Sequence, residues 1–391
     1  MTTDSKTRRM ANASRSRRRY DLRSDSLNAE IDALIARARD EFGGRDDASA
    51  EYARQMIVTA LRFLRDDPSD GDFKLVNAAI KELRHALRVF APYEGVRKVS
   101  VFGSARTQRS APDWTQAERF AESIAQRGWM VITGAGGGIM QAAQGGAGRD
   151  ASFGVNIRLP FEQAANEVIA GDAKLVNFRY FFTRKVSFVR HSHAIALFPG
   201  GFGTHDEGFE ALTLIQTGKS EMLPVVFVDA PGGDYWRDWA EYVDEHLLGR
   251  RLISPDDVSL FRVTDSVDEA VGEITRFYRN YHSSRYVGER LVLRVQEAPN
   301  ADALAALTRE FAPLLVRGAI EASPALPEEQ GEAKDLPRLV LHFDRKSTGL
   351  LRRLIDRVNE ITPSAESAAR AAPHQIVAAE LTEAAETEEA D

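Results

Sequence analysis

Apolar residues follow two rhythms along this chain, and the change between them divides it. From Leu27 the spacing is helical. Leu27, Ile31, Leu34, Ile35 and Ala38 make one stripe, Tyr52, Met56, Ala60, Phe63 and Leu64 a second, and Leu75, Ala79, Ile80, Leu83, Leu87 and Phe90 a third. Gly43-Gly44 and the Asp-, Pro- and Gly-rich run 66–71 separate the stripes. We read 26–95 as a helical segment whose default role is scaffold or dimer contact. From Lys98 short strand-like runs take over, and the apolar run 194–198 fits a strand buried on both faces. Strands are predicted at 99–102, 129–133, 153–159, 195–198, 225–228 and 260–263, alternating with helices at 114–127, 139–147, 236–248 and 267–281. That alternation predicts an α/β fold, a Rossmann-like doubly wound parallel sheet over 96–284, with ligands at the carboxyl ends of the strands. Beyond it, a strand at 290–295, a helix at 301–315, a Pro- and Glu-rich loop at 324–337, a strand at 339–343 and a helix at 350–361 predict a small α+β unit over 285–362.

Composition adds limits. The 391 residues are 43% hydrophobic, ordinary for a chain with a well-buried core, and they include no cysteine. Disulfides, thiolate metal sites and cysteine nucleophiles are thereby excluded, and a reducing, cytoplasmic setting is expected. No apolar run approaches the roughly 20 residues of a membrane helix. A net charge of -7 argues against non-specific nucleic-acid binding by the whole protein. The charge is uneven, however. Residues 1–25 hold eight Lys and Arg against Asp4, Asp21 and Asp25, whereas 363–391 are acidic, and both ends read as disordered tails. For the basic tail a solubilising role is the plainer reading and contact with nucleic acid or an acidic partner the alternative. It has no apolar core of the secretory-signal kind.

The chemistry centres on residues 193–219. A buried run, 194–198, stops at Pro199, and Gly200, Gly201 and Gly203 follow before apolar residues return at helical spacing from Thr204. A glycine loop opening a helix presents free amides and the positive end of the helix dipole, which makes an anion site, most simply a phosphate site. Two other predicted strand ends carry similar loops, Gly103-Ser104-Ala105-Arg106 and Gly134-Ala135-Gly136-Gly137-Gly138. The dinucleotide fingerprint fails because Ile139 stands where its third glycine belongs and no acid closes the next strand. The run Thr213–Ser220 resembles the end of a Walker A loop but follows a helix instead of opening one. A mononucleotide or sugar phosphate fits better. Thr204 and Glu207 also have the T-x-x-E spacing of a capping box, the bland reading of the pair.

The run Pro199-Gly200-Gly201-Phe202-Gly203-Thr204-His205-Asp206-Glu207 resembles the P-G-G-x-G-T-x-x-E signature of the LOG family, long misnamed lysine decarboxylases. Phe182-Thr183-Arg184-Lys185 is similar to the family's Arg-Lys element, and the two upstream glycine loops resemble its first two, so the likeness covers about 97–230. The resemblance implies a Rossmann-like homodimer, or higher homo-oligomer, that hydrolyses nucleoside 5'-monophosphates, AMP-like or cytokinin nucleotides, to free base and ribose 5-phosphate, with neither cofactor nor metal. It implies that Arg184 and Glu207 are the catalytic pair. Gly103, Ser104, Gly136, Gly137, Gly200, Gly201, Gly203 and Thr204 are the expected substrate and phosphate set. A carboxylate near C1' would stabilise the positive charge that develops on the ribose as the N-glycosidic bond breaks. Arg184 is open to three roles: holding Glu207 ionised, binding phosphate, or meeting the departing base. The rival is a non-catalytic nucleotide or molybdenum-cofactor carrier on the same scaffold.

Other candidates carry less. Lys185 as a pyridoxal-phosphate lysine lacks an identifiable aromatic clamp or pyridinium partner. His191 and His193 lack a third ligand at metal spacing, so a structural pair is the expectation. Lys219 complements a helix dipole, and Arg106 is either a phosphate contact or a surface residue. The segments 26–95 and 285–362 are additions to the short LOG pattern with no ligand assigned, and His205-Asp206 in the variable pair leaves base preference open.

Overall fold

The computed structural model describes residues 20–43, 47–158, 164–329 and 332–361. The acidic tail reading at 363–391 and the basic one up to residue 19 lie outside those residues, as does the end of the strand predicted to reach 159. Seven strands form one parallel sheet in the order β4-β3-β2-β1-β5-β6-β7: β1 Lys98–Phe102, β2 Met130–Thr133, β3 Ser152–Ile157, β4 Leu175–Phe178, β5 Ala194–Leu197, β6 Val225–Val228 and β7 Phe261–Thr264. Strands β1 to β4 wind outward in one direction and β5 to β7 in the other. The winding therefore reverses between β1 and β5, which pair from Val99↔Ala194 to Phe102↔Leu197. At such a reversal the loops leaving two adjacent strands diverge to opposite faces and open a crevice at the carboxyl edge. Here those loops are the ones that begin at Gly103 and Pro199.

Alternation along each strand supplies both faces of the core. Val99, Val101, Val131, Ala196 and Phe198 meet Phe120, Ile124, Ile139 and Ile274 from helices Pro112–Ala125, Ile139–Ala147 and Val267–Phe277. Phe102, Ile132, Phe153, Val155 and Leu197 meet Phe188, Ala211 and Ile215 from helices Phe181–His191 and Phe202–Gln216. This second cluster continues through Trp236 and Phe277 to Leu291, Leu293 and Leu341 of a four-stranded antiparallel sheet, order β10-β11-β9-β8: β8 Tyr281–Val287, β9 Arg290–Val295, β10 Leu315–Ser323 and β11 Arg338–Phe343. Helix Thr348–Asn359 ties the two sheets together. Thr348 Oγ1 donates to Gln216 O at 2.9 Å, and the Asn359 side chain accepts from the backbone of Asn280 and Tyr281 and donates to Phe277 O.

Several elements depart from the sequence pattern. Strand β4, helix Phe181–His191, β8 and β10 are present without being predicted. The helix predicted over 267–281 ends four residues early, at Phe277, and the one predicted over 301–315 closes at Glu310 before a 3-10 turn containing Pro313. The helix predicted over 236–248 is α-helical only for Tyr235–Tyr242 and continues as a π turn, Val243–Leu248. Helix Phe202–Gln216 begins two residues before Thr204.

The described residues up to 78 form their own compact unit, with helices Asp25–Phe42 and Asp47–Arg65 and the start of Asp70–Phe90. Arg54 is buried between Asp21 and Asp32, with both contacts at 2.7 Å. The stripes predicted here are covered only in part: Ile31 is buried, whereas Leu27, Leu34, Tyr52, Met56 and Leu64 are exposed. Among the described residues no helix is long and apolar enough to cross a membrane.

Candidate active site

Three glycine-bearing loops meet at the crevice and are bonded to one another. Ser104 N–H donates to Pro199 O at 3.0 Å, and Ile139 N–H donates to Ser104 O at 3.0 Å, so the loop after β1 is clasped from both sides. Close approach explains the glycines. A Cβ on Gly103 would lie 2.7 Å from the Ile139 side chain, and one on Gly200 would collide with Thr204 Oγ1. Gly138 also sits at φ +60, with Ser104 O in the place a Cβ would take, and so requires glycine on two counts. Gly136 packs against Met140 and Gly137 faces Ala105 O. Asn166 holds this second loop through two donors: its N–H bonds to Ala135 O and its Nδ2 to Gly136 O, both at 2.9 Å.

Gly201 and Gly203 differ from these. Nothing lies within 4 Å of the Cβ either would carry, and both are exposed. The helix N-cap is Gly201, whose carbonyl accepts from Thr204 and His205 N–H. Amides of the first turn precede any intrahelical acceptor, so those of Phe202 and Gly203 head the helix toward the open space. Thr204 is therefore the third helical residue and no cap, and the capping-box reading of Thr204 and Glu207 does not hold.

One turn further on, Glu207 faces helix Phe181–His191. Its side chain is 10% exposed and stands 3.8 Å from Lys185 Nζ. Burial pushes its pKa above the ordinary carboxylate value; Lys185 and Arg184 oppose that, while Glu210 and Asp206 add to it. Arg184 Nε donates to Val155 O at 2.9 Å and its guanidinium lies 5.1 Å from the Phe188 ring centroid. A Cβ on Gly134 would collide with the Arg184 guanidinium, which brings the second glycine loop into the same place. The structure thus brings Arg184, Glu207 and the loops of Gly134 and Gly200 to one crevice. Arg106 is exposed, and its backbone N–H donates to Ser104 Oγ.

Two supports had no sequence signal. Glu82, on helix Asp70–Phe90, accepts from Arg179 N–H at 2.9 Å and Thr183 Oγ1–H at 2.6 Å, a carboxylate seated at the N-terminus of the helix carrying Arg184 and Lys185. Tyr235 O–H donates to Gly200 O and so must accept from His205 Nε2, 2.7 Å away, which fixes the His205 tautomer. Partners 97 and 35 residues apart leave no local pattern to read. His191 and His193 lie at the opposite end of the sheet. His191 stacks on Phe90 with centroids 3.9 Å apart, and His193 Nδ1 accepts from Lys98 N–H.

Residues 137–274 match a family model described as "Possible lysine decarboxylase", the description that covers LOG proteins. The match places residues 137–274 alongside the LOG family. The LOG-family match contains β3 to β7, the signature loop, Arg184 and Glu207, and begins after Gly103. A pyrimidine/purine nucleotide 5'-monophosphate nucleosidase of Escherichia coli strain K12 is 27% identical over 191 residues, covering 46% of this chain and 41% of that protein. The chain thus spans less than half the length of the curated relatives it matches. Among solved structures, the molybdenum cofactor carrier protein of Chlamydomonas reinhardtii is 18% identical with a TM-score of 0.34, covering 46% of this chain and 97% of that one. The molybdenum cofactor binding protein of Rippkaea orientalis is 19% identical with a TM-score of 0.33, covering 46% and 96%.

Proposed function

We propose that this LOG-family chain hydrolyses the N-glycosidic bond of nucleoside 5'-monophosphates, taking up water and releasing free base and ribose 5-phosphate. The observation that carries the reading is Glu207: a nearly buried carboxylate one helical turn past an open glycine loop, faced by two cations. In the proposed reaction the 5'-phosphate sits on the amides of Gly201 to Gly203, with Gly103, Ser104, Gly136, Gly137, Gly200 and Thr204 shaping the cradle. That anchor brings the ribose toward Glu207. As the bond to the base lengthens, positive charge builds on C1' and the ring oxygen, and the carboxylate stabilises it. Water held by Glu207 adds its oxygen to C1', and its proton is passed on as the base leaves with the electron pair of the broken bond. Arg184, tethered through Nε to Val155 O, keeps a positive charge beside Glu207 and so favours its ionised form. The likeness to nucleotide 5'-monophosphate nucleosidases supports this substrate class. No step requires a cofactor.

The proposed working form is a homodimer. Phe181, Phe182 and Val186 are about half exposed on the helix that carries Arg184, and a second copy would cover them. The test of function is incubation with AMP, GMP, CMP, UMP and isopentenyl-AMP, with free base and ribose 5-phosphate measured together. Release of both in equal amounts from at least one nucleotide is expected. Saturable binding without turnover on every member of the panel would favour the carrier reading instead.

A further inference from the structure

Lys185 stands where helices Phe181–His191 and Phe202–Gln216 face each other, and its three acidic neighbours are held unequally. Its Nζ donates to Glu210 Oε2 at 2.7 Å and meets Asp206 Oδ2 at 2.9 Å, but stays 3.8 Å from Glu207 Oε2. The first two contacts are charge-assisted hydrogen bonds; the third is beyond hydrogen-bond length yet well within Coulombic reach. Asp206 and Glu210 lie four residues apart, on the same side of their helix, so they grip one ammonium between them. They are also the wetter acids, with side chains 61% and 33% exposed against 10% for Glu207.

We infer that Lys185 is a positioning residue for Glu207: Asp206 and Glu210 tether its ammonium so that it lends the buried carboxylate a fixed positive charge without occupying the oxygen that must hold water. The inference rests on the nucleosidase reading and deepens it. A direct Lys185–Glu207 hydrogen bond would tie up an acceptor lone pair and make the carboxylate a poorer base. Without the ammonium, Arg184 alone would oppose burial and the two neighbouring acids. Among the described residues, the charged groups that bear most on Glu207 are Lys185 and Arg184 from the helix opposite and Asp206 and Glu210 from its own. Lys185 in turn is held charged: burial disfavours that, but the bonds to Glu210 and Asp206 and the charge of Glu207 outweigh it.

The test reads Glu207 in two ways, by the pH dependence of kcat/KM and by carboxyl-carbon NMR titration of the free protein, with Glu207→Gln identifying the resonance. Lys185→Met removes the charge. It should move the acid limb and the Glu207 titration upward by about one pH unit or more, which costs on the order of tenfold in rate on the acid limb per unit moved and largely recovers above the shifted limb. Lys185→Gln can still bond to Glu210 and guards against a folding defect; it should give the same upward shift, and Lys185→Arg should return the limb toward the parent. A loss uniform across pH in both neutral variants, with the Glu207 titration unmoved, overturns the inference. If the parent turns over no nucleotide, the nucleosidase reading fails, and the NMR titration still decides the coupling: an unmoved Glu207 resonance rejects it, and an upward shift retains it.

Discussion

At residue scale the glycines of the site divide into two kinds. Gly201 faces open space, so Gly201→Val should fold as the parent does yet raise KM for a nucleotide by about tenfold or more, since the side chain takes the ligand's approach to the backbone. Gly138→Ala should instead lower the melting temperature, because it meets Ser104 O and a positive φ. A Gly201→Val protein with parental KM would move the phosphate elsewhere. Glu207→Gln should reduce turnover by roughly a thousandfold while nucleotide affinity stays within a few-fold, read by a product assay beside calorimetry. Arg184 and Glu207 were legible in the sequence through the signature run and the Arg-Lys element. The arrangement of Lys185 was not, because its three acids sit on another helix, 21 to 25 residues on, and their distances to it depend on how two helices cross.

At the scale of elements, strands buried on both faces were legible and half-wet ones were not. Ala194–Leu197 is a continuous apolar run, as a strand covered on both faces gives, and β1 is apolar but for Lys98 and Ser100. Strand β4 at the edge alternates Leu-Val-Asn-Phe, and β8 reads Tyr-His-Ser-Ser-Arg-Tyr-Val, too polar to stand out against the helix before it. Helix Phe181–His191 escapes the pattern for a different reason: Phe181, Phe182 and Val186 lie on its exposed side and blur the stripe. Its start depends on Glu82. Glu82→Ala leaves Arg179 N–H without its acceptor and Thr183 O–H with Tyr180 O alone, and a cost of about 1 kcal/mol in chemical denaturation is expected, with kcat/KM falling because Arg184 and Lys185 ride on that helix. Unchanged stability and activity would show that the helix is fixed by packing alone. Tyr235→Phe removes the donor that holds Gly200 O, and weaker phosphate affinity with little change in kcat is the expected reading.

At the scale of the whole molecule, the end of the sheet opposite the site is sensitive to acid. Burial depresses the pKa of His191 to about 4, His193 to about 3 and His282 to about 4, with Lys98, Arg97 and other neighbouring cations adding to it. Each is neutral when folded, so the unfolded chain binds more protons as pH falls below the ordinary histidine value of 6.5, and stability drops from there toward pH 3 to 4. Glu329, buried between Arg294 and Arg338, is held down to about 2 because their hydrogen bonds outweigh its burial, so its contribution is lost from about 4.5 downward. Denaturation midpoints should therefore fall between about pH 7 and pH 5, and more steeply below about pH 4.5. A midpoint level from about pH 7 to pH 4 would contradict the buried neutral histidines.

The proposed reaction needs an acid beside a phosphate cradle, aimed at the sugar. A crystal structure of the Glu207→Gln protein with a nucleoside 5'-monophosphate bound measures it directly. The phosphate is expected on the amides of Gly201 to Gly203 and the substituted side-chain amide within about 6 Å of C1', the span of one bridging water. A phosphate bound away from that loop, or a side chain turned from the ribose, would contradict it.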